Sequence, residues 1–433
     1  MSAPKAPRRL LDDCFLHDRD RMRHDEVLAL LDERLARIVA SETVPLDQAG
    51  GRFLAAPVTA PRDVPLHDNA AVDGYAFAFA DYAHLTTLGI GARIAAGDLE
   101  PRTLGKGEAA RIFTGAVMPD GADTVAMQED CQIGFDGTTV TIPKGLKPGA
   151  NRRRAGEDVK AGDTVVREGT RLRPQEVAAI ASLGQAHVDV CAPLRIAIVS
   201  TGNELLDPSD TRPFAAGHVY DSNRAMLKAL AASLPVEITD CGIAPDDPAR
   251  VEALLRHASR ENDVILTTGG ASRGEEDHMV ETLDRIGKRH LWQIAVKPGR
   301  PMTLGQISDG ARDCVVFGLP GNPVAVFVCF LLYVRPALIK LGGGVATVPP
   351  RFPLPAGFQI ARKKKDRREF LRGWLETDAR GQTIVRKFER DGSGLITGLR
   401  EATGLIELPE AVEKVVPGQT VSFIPFPCLG LAP

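Results

Sequence analysis

The chain is poor in the features that mark several large protein classes. Its seven cysteines, at 14, 131, 191, 241, 314, 329 and 428, form no Cys-x-x-Cys pair. That spacing argues against a structural zinc site, and the scattered, odd count reads as reduced thiols in a cytoplasmic protein. The nine histidines show no His-x-x-x-His spacing. Aromatic residues make up only 5% and the formal net charge is −3, so neither base stacking nor bulk basicity points to nucleic acid. The N-terminus has no signal-like apolar core, and the longest apolar run, 324–334, is too short for a bilayer span. It reads as a buried helix, and no membrane partner is expected. What remains is an ordinary globular mix, 44% hydrophobic and 25% charged, in 433 residues, enough for two to four domains.

Residues 1–22 are charged and expected to be poorly ordered. Helical spacing runs from 24 to 40, where Val27, Leu28, Leu30, Leu31, Leu35 and Ile38 share one side. Between 57 and 154 short strand-like runs, such as 122–127 and 138–142, alternate with Gly, Pro and Asp turns, the texture of a β-rich module. A helix is expected over 174–183, with Pro174 in its first turn. From 195 the pattern becomes strand, loop, helix, repeated. The expected strands are 196–200, 236–241, 264–268, 292–296 and 314–317, with helices over 222–233, 248–259, 277–286 and 323–339. This implies a mostly parallel sheet with helices on both faces. Residues 351–433 lose the helical signals and read as a small all-β module, with turns at Asp391-Gly392 and Pro417-Gly418.

In an open parallel sheet, ligands bind outside the carboxyl ends of the strands. Those ends carry Thr201, Gly202, Asn203 and Glu204; then Pro245, Asp246 and Asp247; then Gly269, Gly270, Ser272, Arg273, Gly274, Glu275 and Asp277; then Lys297, Gly299 and Arg300; then Pro320, Gly321, Asn322 and Pro323. Convergence on one edge is a stronger signal than any single loop. The third loop has a phosphate-site logic. Glycines admit a ligand to the main chain, the following helix offers free N–H groups, and Arg273 adds charge. Its acids, Glu275 and Asp277, would repel a bare phosphate unless a hard cation such as Mg²⁺ lay between them. A Gly-rich turn followed by acids at a helix start explains the same residues without a ligand. Lys297 and Arg300 bracket a Pro-Gly turn suited to an oxyanion, or equally to a solvated hairpin. Asn322 and Pro323 have the residue types of an N-cap and a first helical position. In the β-rich module, Asp73-Gly74 reads as a common turn. The basic run 362–368 reads as a solvated strand edge that could also supply cations to an anion.

Taken together, these stretches resemble the MoeA family of molybdopterin molybdenumtransferases, to which the gephyrin E domain belongs. The resemblance covers about 25–428. It rests on the stretches 69–76, 113–125, 154–158, 200–205, 219–223, 267–277, 297–301, 318–323, 367–372 and 392–394. It implies a multidomain α/β plus β fold. A parallel α/β domain at 191–345 would resemble the molybdopterin adenylyltransferases. A β-rich insertion at 56–154 would interrupt an elongated linker domain formed by 1–55 and 155–190, and 346–433 would be a small β-barrel. The family's homodimers place the site between subunits.

The implied reaction takes adenylylated molybdopterin and molybdate, with Mg²⁺, releases AMP and places molybdenum on the dithiolene sulfurs. By resemblance, Asp73, Thr114, Asp158, Glu204 and Asp277 carry the chemistry, with Glu204 and Asp277 as metal ligands. Thr201, Gly202, Ser222, Gly269, Gly270, Ser272, Gly274, Pro320, Gly321, Asn322 and Pro323 would hold the pterin. Lys297, Arg300, Arg367 and Ser393 would hold molybdate. The adenylyltransferase and acceptor molybdoenzymes are implied as partners. The chain departs from the family at Ala70-Ala71-Val72, which lacks a usual hydroxyl, and at Asn203, which replaces an acid. Arg300 replaces a lysine and Arg273 a commonly apolar residue. Two alternatives remain. A stand-alone adenylyltransferase would need neither the β-module nor the tail. A non-catalytic carrier or scaffold would not need Asp73, Glu204, Asp277, Lys297 and Arg300.

Overall fold

A computed structural model describes residues 22–98, 100–211, 213–269, 278–310 and 312–431. The expected disordered start therefore lies outside the described residues.

The α/β unit is built on a six-stranded sheet. Its order is Val236–Ala244, Leu194–Thr201, Val264–Thr268, Asp313–Leu319, Pro301–Ser308 and Lys288–Gln293. The first four run parallel. The last two are antiparallel to their neighbours, so the sheet is mixed rather than wholly parallel. Sequence periodicity missed Pro301–Ser308, because a proline opens it and Gly305 interrupts its β-branched character. The expected strand at 292–296 is two pieces. Lys288–Gln293 forms the sheet edge, and Val296–Lys297 leaves to pair with Arg368–Thr377 of the tail. Two antiparallel steps restore direction, so Lys288–Gln293 runs the same way as Asp313–Leu319. The loop 297–301 therefore still emerges at the carboxyl edge, where Thr303 pairs with Gly318.

Both faces of the sheet are covered. Val251, Leu255, Ala258, Met279 and Leu283, from helices Pro248–Glu261 and His278–Ile286, pack on one face. The other face meets Ser222–Ala231 and an apolar helix from Pro323 to Leu341. That helix is 19 residues long, longer than its apolar run suggested and long enough to cross a bilayer. The chain buries 83% of its most apolar window, so it is a core helix. Its middle turn, Phe330–Val334, is π-helical. Pro336, two residues on, has no N–H to give the regular ladder, which accounts for the irregular turn.

The N-terminal helix stops at Arg34 rather than near 40, because Leu35 is already extended. Its buried residues Val27 and Leu31 join the same core as Phe370, Leu405 and Ile424 of the tail. Residues 41–60 and 159–190 share a separate core through Leu54, Val58, Leu172, Ile180 and Val190. Ser41–Pro45 pairs antiparallel with His187–Cys191 across that segment. Between them, a mixed six-stranded sheet includes Gly74–Phe77, Thr87–Ile94 and Glu108–Ile112. Its two cores draw only on residues 70–146. Gly74 is required there, because a Cβ would sit 1.9 Å from the carbonyl oxygen of Ala126. The tail carries a third six-stranded sheet, which Val296–Lys297 joins. A single bridge also links Ala356 to Val385.

Candidate active site

The carboxyl edge of the α/β sheet is tied together by one side chain. Asp221, buried, caps the helix Ser222–Ala231 by accepting from the N–H of Arg224 at 3.0 Å. The helix start then turns Asn223 inward. Its Nδ2 donates to Thr268 Oγ1 at 2.9 Å and to Gly321 O at 2.7 Å, and Thr268 Oγ1 donates to Pro320 O at 3.3 Å. Arg224 sits beneath, paired with Asp207, Asp221 and Asp240. The Lys228 and Arg224 partners hold Asp240 down to about 2 despite its partial burial. A second tie joins the first two loops. Asn203 N–H donates to Asp246 Oδ2 at 2.9 Å, and Asp246 N–H donates to Asn203 Oδ1 at 3.2 Å. The departure at Asn203 thus supplies a side-chain acceptor for a backbone N–H.

Gly269 has φ 87°, and a Cβ there would lie 2.4 Å from Thr201 O. Only glycine lets the first and third loops come this close. Gly321 lies beside Gly269, so Thr201, Gly269 and Gly321 form a contiguous floor. Around it, Ser200 Oγ, Thr201 Oγ1, Thr267 Oγ1 and Asn223 Oδ1 are buried without a partner among the described residues. Buried hydroxyls left this way are costly and suit a polar ligand.

Beside this floor lies a cleft of about 580 Å³. Lys297, Arg300, Pro320, Asn322, Arg367 and Ser393, all expected site residues, line it together. Glu369 is buried beneath. It accepts from Arg367 Nε at 2.9 Å and Nη2 at 2.7 Å, and Lys297 Nζ lies 3.8 Å from its other oxygen. One carboxylate therefore positions two cations from different domains. Arg372 donates to the carbonyls of Arg390, Gly392 and Leu395, which shapes the turn bearing Ser393. Ser393 O accepts from Val324 N–H at 3.0 Å, so the tail caps the apolar helix. Asn322 holds the N-cap position, as expected, but makes no side-chain cap bond.

Other expected residues lie elsewhere. Asp73 and Thr114 meet on the insertion, where Thr114 donates to Asp73 Oδ1 from its N–H at 2.8 Å and its hydroxyl at 2.7 Å. Those two bonds, helped by Arg111, hold the Asp73 carboxyl below its usual value. Asp158 is exposed just after the insertion, its N–H donating to Val64 O at 3.1 Å. Glu204 is exposed at the end of the first loop, and Ser222 is half-buried at the helix start. Gly270, Ser272, Arg273, Gly274, Glu275 and Asp277 lie outside the described residues. Among the described residues no three acids, histidines or cysteines cluster as metal ligands. Mg²⁺ usually keeps its waters and takes one or two carboxylates with substrate phosphates, so Glu204 suits it chemically.

Sequence reasoning missed Asn223, Glu369 and Arg372. All three lie within stretches already singled out, 219–223 and 367–372, but their signal is burial, which sequence does not display. The basic run is not simply a solvated edge. Lys363 is buried within it, and Arg368 pairs with Asp25, Glu407 and Glu410.

Residues 22–184 match the family described as the MoeA N-terminal region (domain I and II). Residues 197–340 match a probable molybdopterin binding domain, and 355–426 the MoeA C-terminal region (domain IV). The chain is 35% identical over 403 residues to the molybdopterin molybdenumtransferase of Haemophilus influenzae, covering 93% of this chain and 98% of that protein. It is 33% identical over 408 residues to molybdopterin molybdenumtransferase 2 of Mycobacterium tuberculosis, covering 91% and 96%. A crystal structure of the molybdopterin biosynthesis MoeA protein of Pyrococcus horikoshii superposes with TM-score 0.79 at 30% identity, covering 94% of this chain and 100% of that one. With a glycine-shaped floor, a cationic cleft at the sheet edge and this similarity along nearly its whole length, the chain belongs to the MoeA family of molybdopterin molybdenumtransferases.

Proposed function

We propose that the protein inserts molybdenum from molybdate into adenylylated molybdopterin. The phosphoanhydride is cleaved, AMP leaves, and the metal is placed on the dithiolene sulfurs. The observation that carries this reading is the cleft that gathers Lys297, Arg300, Arg367 and Ser393 beside the Thr201, Gly269 and Gly321 floor. A tetrahedral dianion suits those cations, and the main chain of the floor suits the pterin and its phosphate. The buried Glu369 keeps Lys297 and Arg367 in position before substrate arrives, so catalysis is mainly orientation and electrostatics. Glu204 and Asp277 would hold Mg²⁺, which would neutralise phosphate charge.

Asp73 and Thr114 belong to the same site in this proposal, reaching the cleft of a second copy in a homodimer. Among the described residues the two cores of their sheet draw only on 70–146, so it packs as a unit of its own, which suits delivery across a subunit boundary. Asp158, just after the insertion, would orient that unit. We further take the tail as a small barrel, in keeping with its Ala356 bridge. We place the protein in the cytoplasm, downstream of an adenylyltransferase and upstream of molybdoenzymes. Defined reconstitution tests the proposal. The protein, adenylylated molybdopterin, Mg²⁺ and a molybdate series should give molybdate-dependent AMP release and activate a cofactor-free molybdoenzyme. Pterin binding without AMP release would identify a carrier instead.

A further inference from the structure

Seven cations line the cleft against two acids, Asp366 and Asp391, but their contacts differ. Lys297 and Arg367 share Glu369. Arg372 is held by three carbonyls of the Ser393 turn. Lys387 donates to Asp391 at 2.8 Å and to the carbonyls of Phe388 and Glu389. Lys365 pairs with Glu413 at 2.9 Å. Arg300 and Lys364 are left with no side-chain acceptor among the described residues. A cation exposed to a cleft without a carboxylate keeps its full charge for a ligand, whereas a paired one offers only part of it.

The loop bearing Lys364 is built rather than slack. Lys363, only 4% exposed, donates from Nζ to Arg367 O at 2.7 Å and to Lys364 O and Glu410 O at 3.3 Å. All three ammonium protons are thereby used, which is what keeps a buried lysine tolerable. Asp366, two residues beyond Lys364, has φ 63°, a left-handed conformation that costs a non-glycine residue energy and that concentrates at functional sites. Buried Lys363 and strained Asp366 together turn Lys364 and Arg367 to the cleft.

We propose that Lys364 is an anion-binding residue of this cleft, presented by the loop that Lys363 holds, and that with Arg300 it takes a tetrahedral oxyanion carrying two negative charges. This rests on the transferase reading and extends it to a residue outside the Lys297, Arg300, Arg367 and Ser393 set. Two sources share that chemistry, molybdate itself and the phosphate end of the nucleotide-bearing substrate.

The test is calorimetric titration of the full chain with molybdate and, separately, with AMP. Lys364→Gln raises the dissociation constant of one or both probes about three- to tenfold and flattens its salt dependence. Loss confined to molybdate places Lys364 at the oxyanion, and loss confined to AMP places it at the phosphate. Asp366→Gly moves the same constant the other way, because glycine keeps the left-handed turn without strain and a repelling carboxylate is gone. Lys365→Gln, whose partner is Glu413, changes neither constant by more than about twofold. Lys363→Met weakens binding as Lys364→Gln does and raises amide exchange at 364–367, while Lys363→Arg restores part of both. Lys364→Gln with wild-type constants for both probes overturns the inference, as does an equal loss in Lys365→Gln. Wild-type protein that binds neither probe overturns the transferase reading itself, a distinct result.

Discussion

Replacing Asn223 by alanine tests whether one side chain holds the substrate floor together. Asn223 is 9% exposed, and its amide serves two loops, through Thr268 Oγ1 at 2.9 Å and Gly321 O at 2.7 Å. Alanine strands both acceptors. A buried polar group left without its partner costs ~1–3 kcal/mol. Thr268 Oγ1 keeps its own bond to Pro320 O, and a water can enter the polar gap, so the low half of that range applies to each. The expected loss is ~2–4 kcal/mol, or roughly 5–15 °C in the melting transition of the α/β unit. The helix itself should persist, because Asp221 still caps it. Amide exchange should therefore rise at 268–269 and 320–322, not along 222–231. Because reacting groups must be held to well under 1 Å, insertion should fall on the order of 10²-fold. Asn223→Ala that melts within about 1 °C of wild type, with unchanged exchange in those two loops, would refute the claim that this amide couples them.

Three other expectations follow from the same geometry. Asp73→Asn keeps an oxygen for the Thr114 N–H and hydroxyl, so it should fold normally yet insert molybdenum at least about tenfold more slowly. With its carboxyl held below the usual value by the Thr114 bonds, Asp73 should be ionised throughout the neutral range, and wild-type activity should show no acid limb from it there. A limb assigned to Asp73 by its loss in the asparagine variant would contradict this. Lys297→Ala leaves Arg367 alone on Glu369, so the half-saturating molybdate concentration should rise about tenfold with little change in melting temperature. His24 is buried against Tyr333 and Phe370, its Nδ1 2.8 Å from the Tyr333 hydroxyl, and burial lowers its pKa to about 4. The unfolded chain binds that proton first as pH falls. Its stabilising contribution of about 3 kcal/mol is therefore complete above pH 6.5 and lost as pH drops towards 4. Melting curves between those limits should be flatter for His24→Leu than for wild type, and equal slopes would exclude His24 as the source.

The legible parts of the chain were those set by local chemistry. The helices expected to begin at 222 and 248 do begin at Ser222 and Pro248, each behind an aspartate whose side chain caps it, Asp221 and Asp247. The first and third parallel strands were equally plain, because burial on both faces leaves continuous apolar runs. Pro301–Ser308 was not, since its stability comes from pairing with Asp313–Leu319 rather than from β-branched residues. The break after Gln293 was hidden for a related reason. Ile294, Ala295 and Val296 are apolar and buried whether they extend one sheet or leave for another. Only long-range partners decide between the two outcomes.

The same distinction separates the two halves of the site. Glycine at 269 is a local demand, because the backbone there adopts a left-handed conformation against Thr201, and a sequence displays such demands. Glu369 obeys no local rule. It stands in a strand of the tail, one residue from the structural Arg368, and its sequence neighbours would equally suit an exposed edge. What makes it part of the site is that Val296–Lys297 leaves the α/β sheet to pair with residues 368–369. That one excursion carries Lys297 to the buried carboxylate that also holds Arg367. The cationic cleft is thus a product of the strand that sequence periodicity assigned to the wrong sheet. Uncoupling that pairing, by Val296→Pro at a position that should stay extended, should release Lys297 from Glu369 while leaving the Thr201 and Gly269 floor intact. Molybdate binding should then weaken more than pterin binding does. Equal weakening of both ligands would mean that the floor and the cleft depend on each other in a way these contacts do not explain.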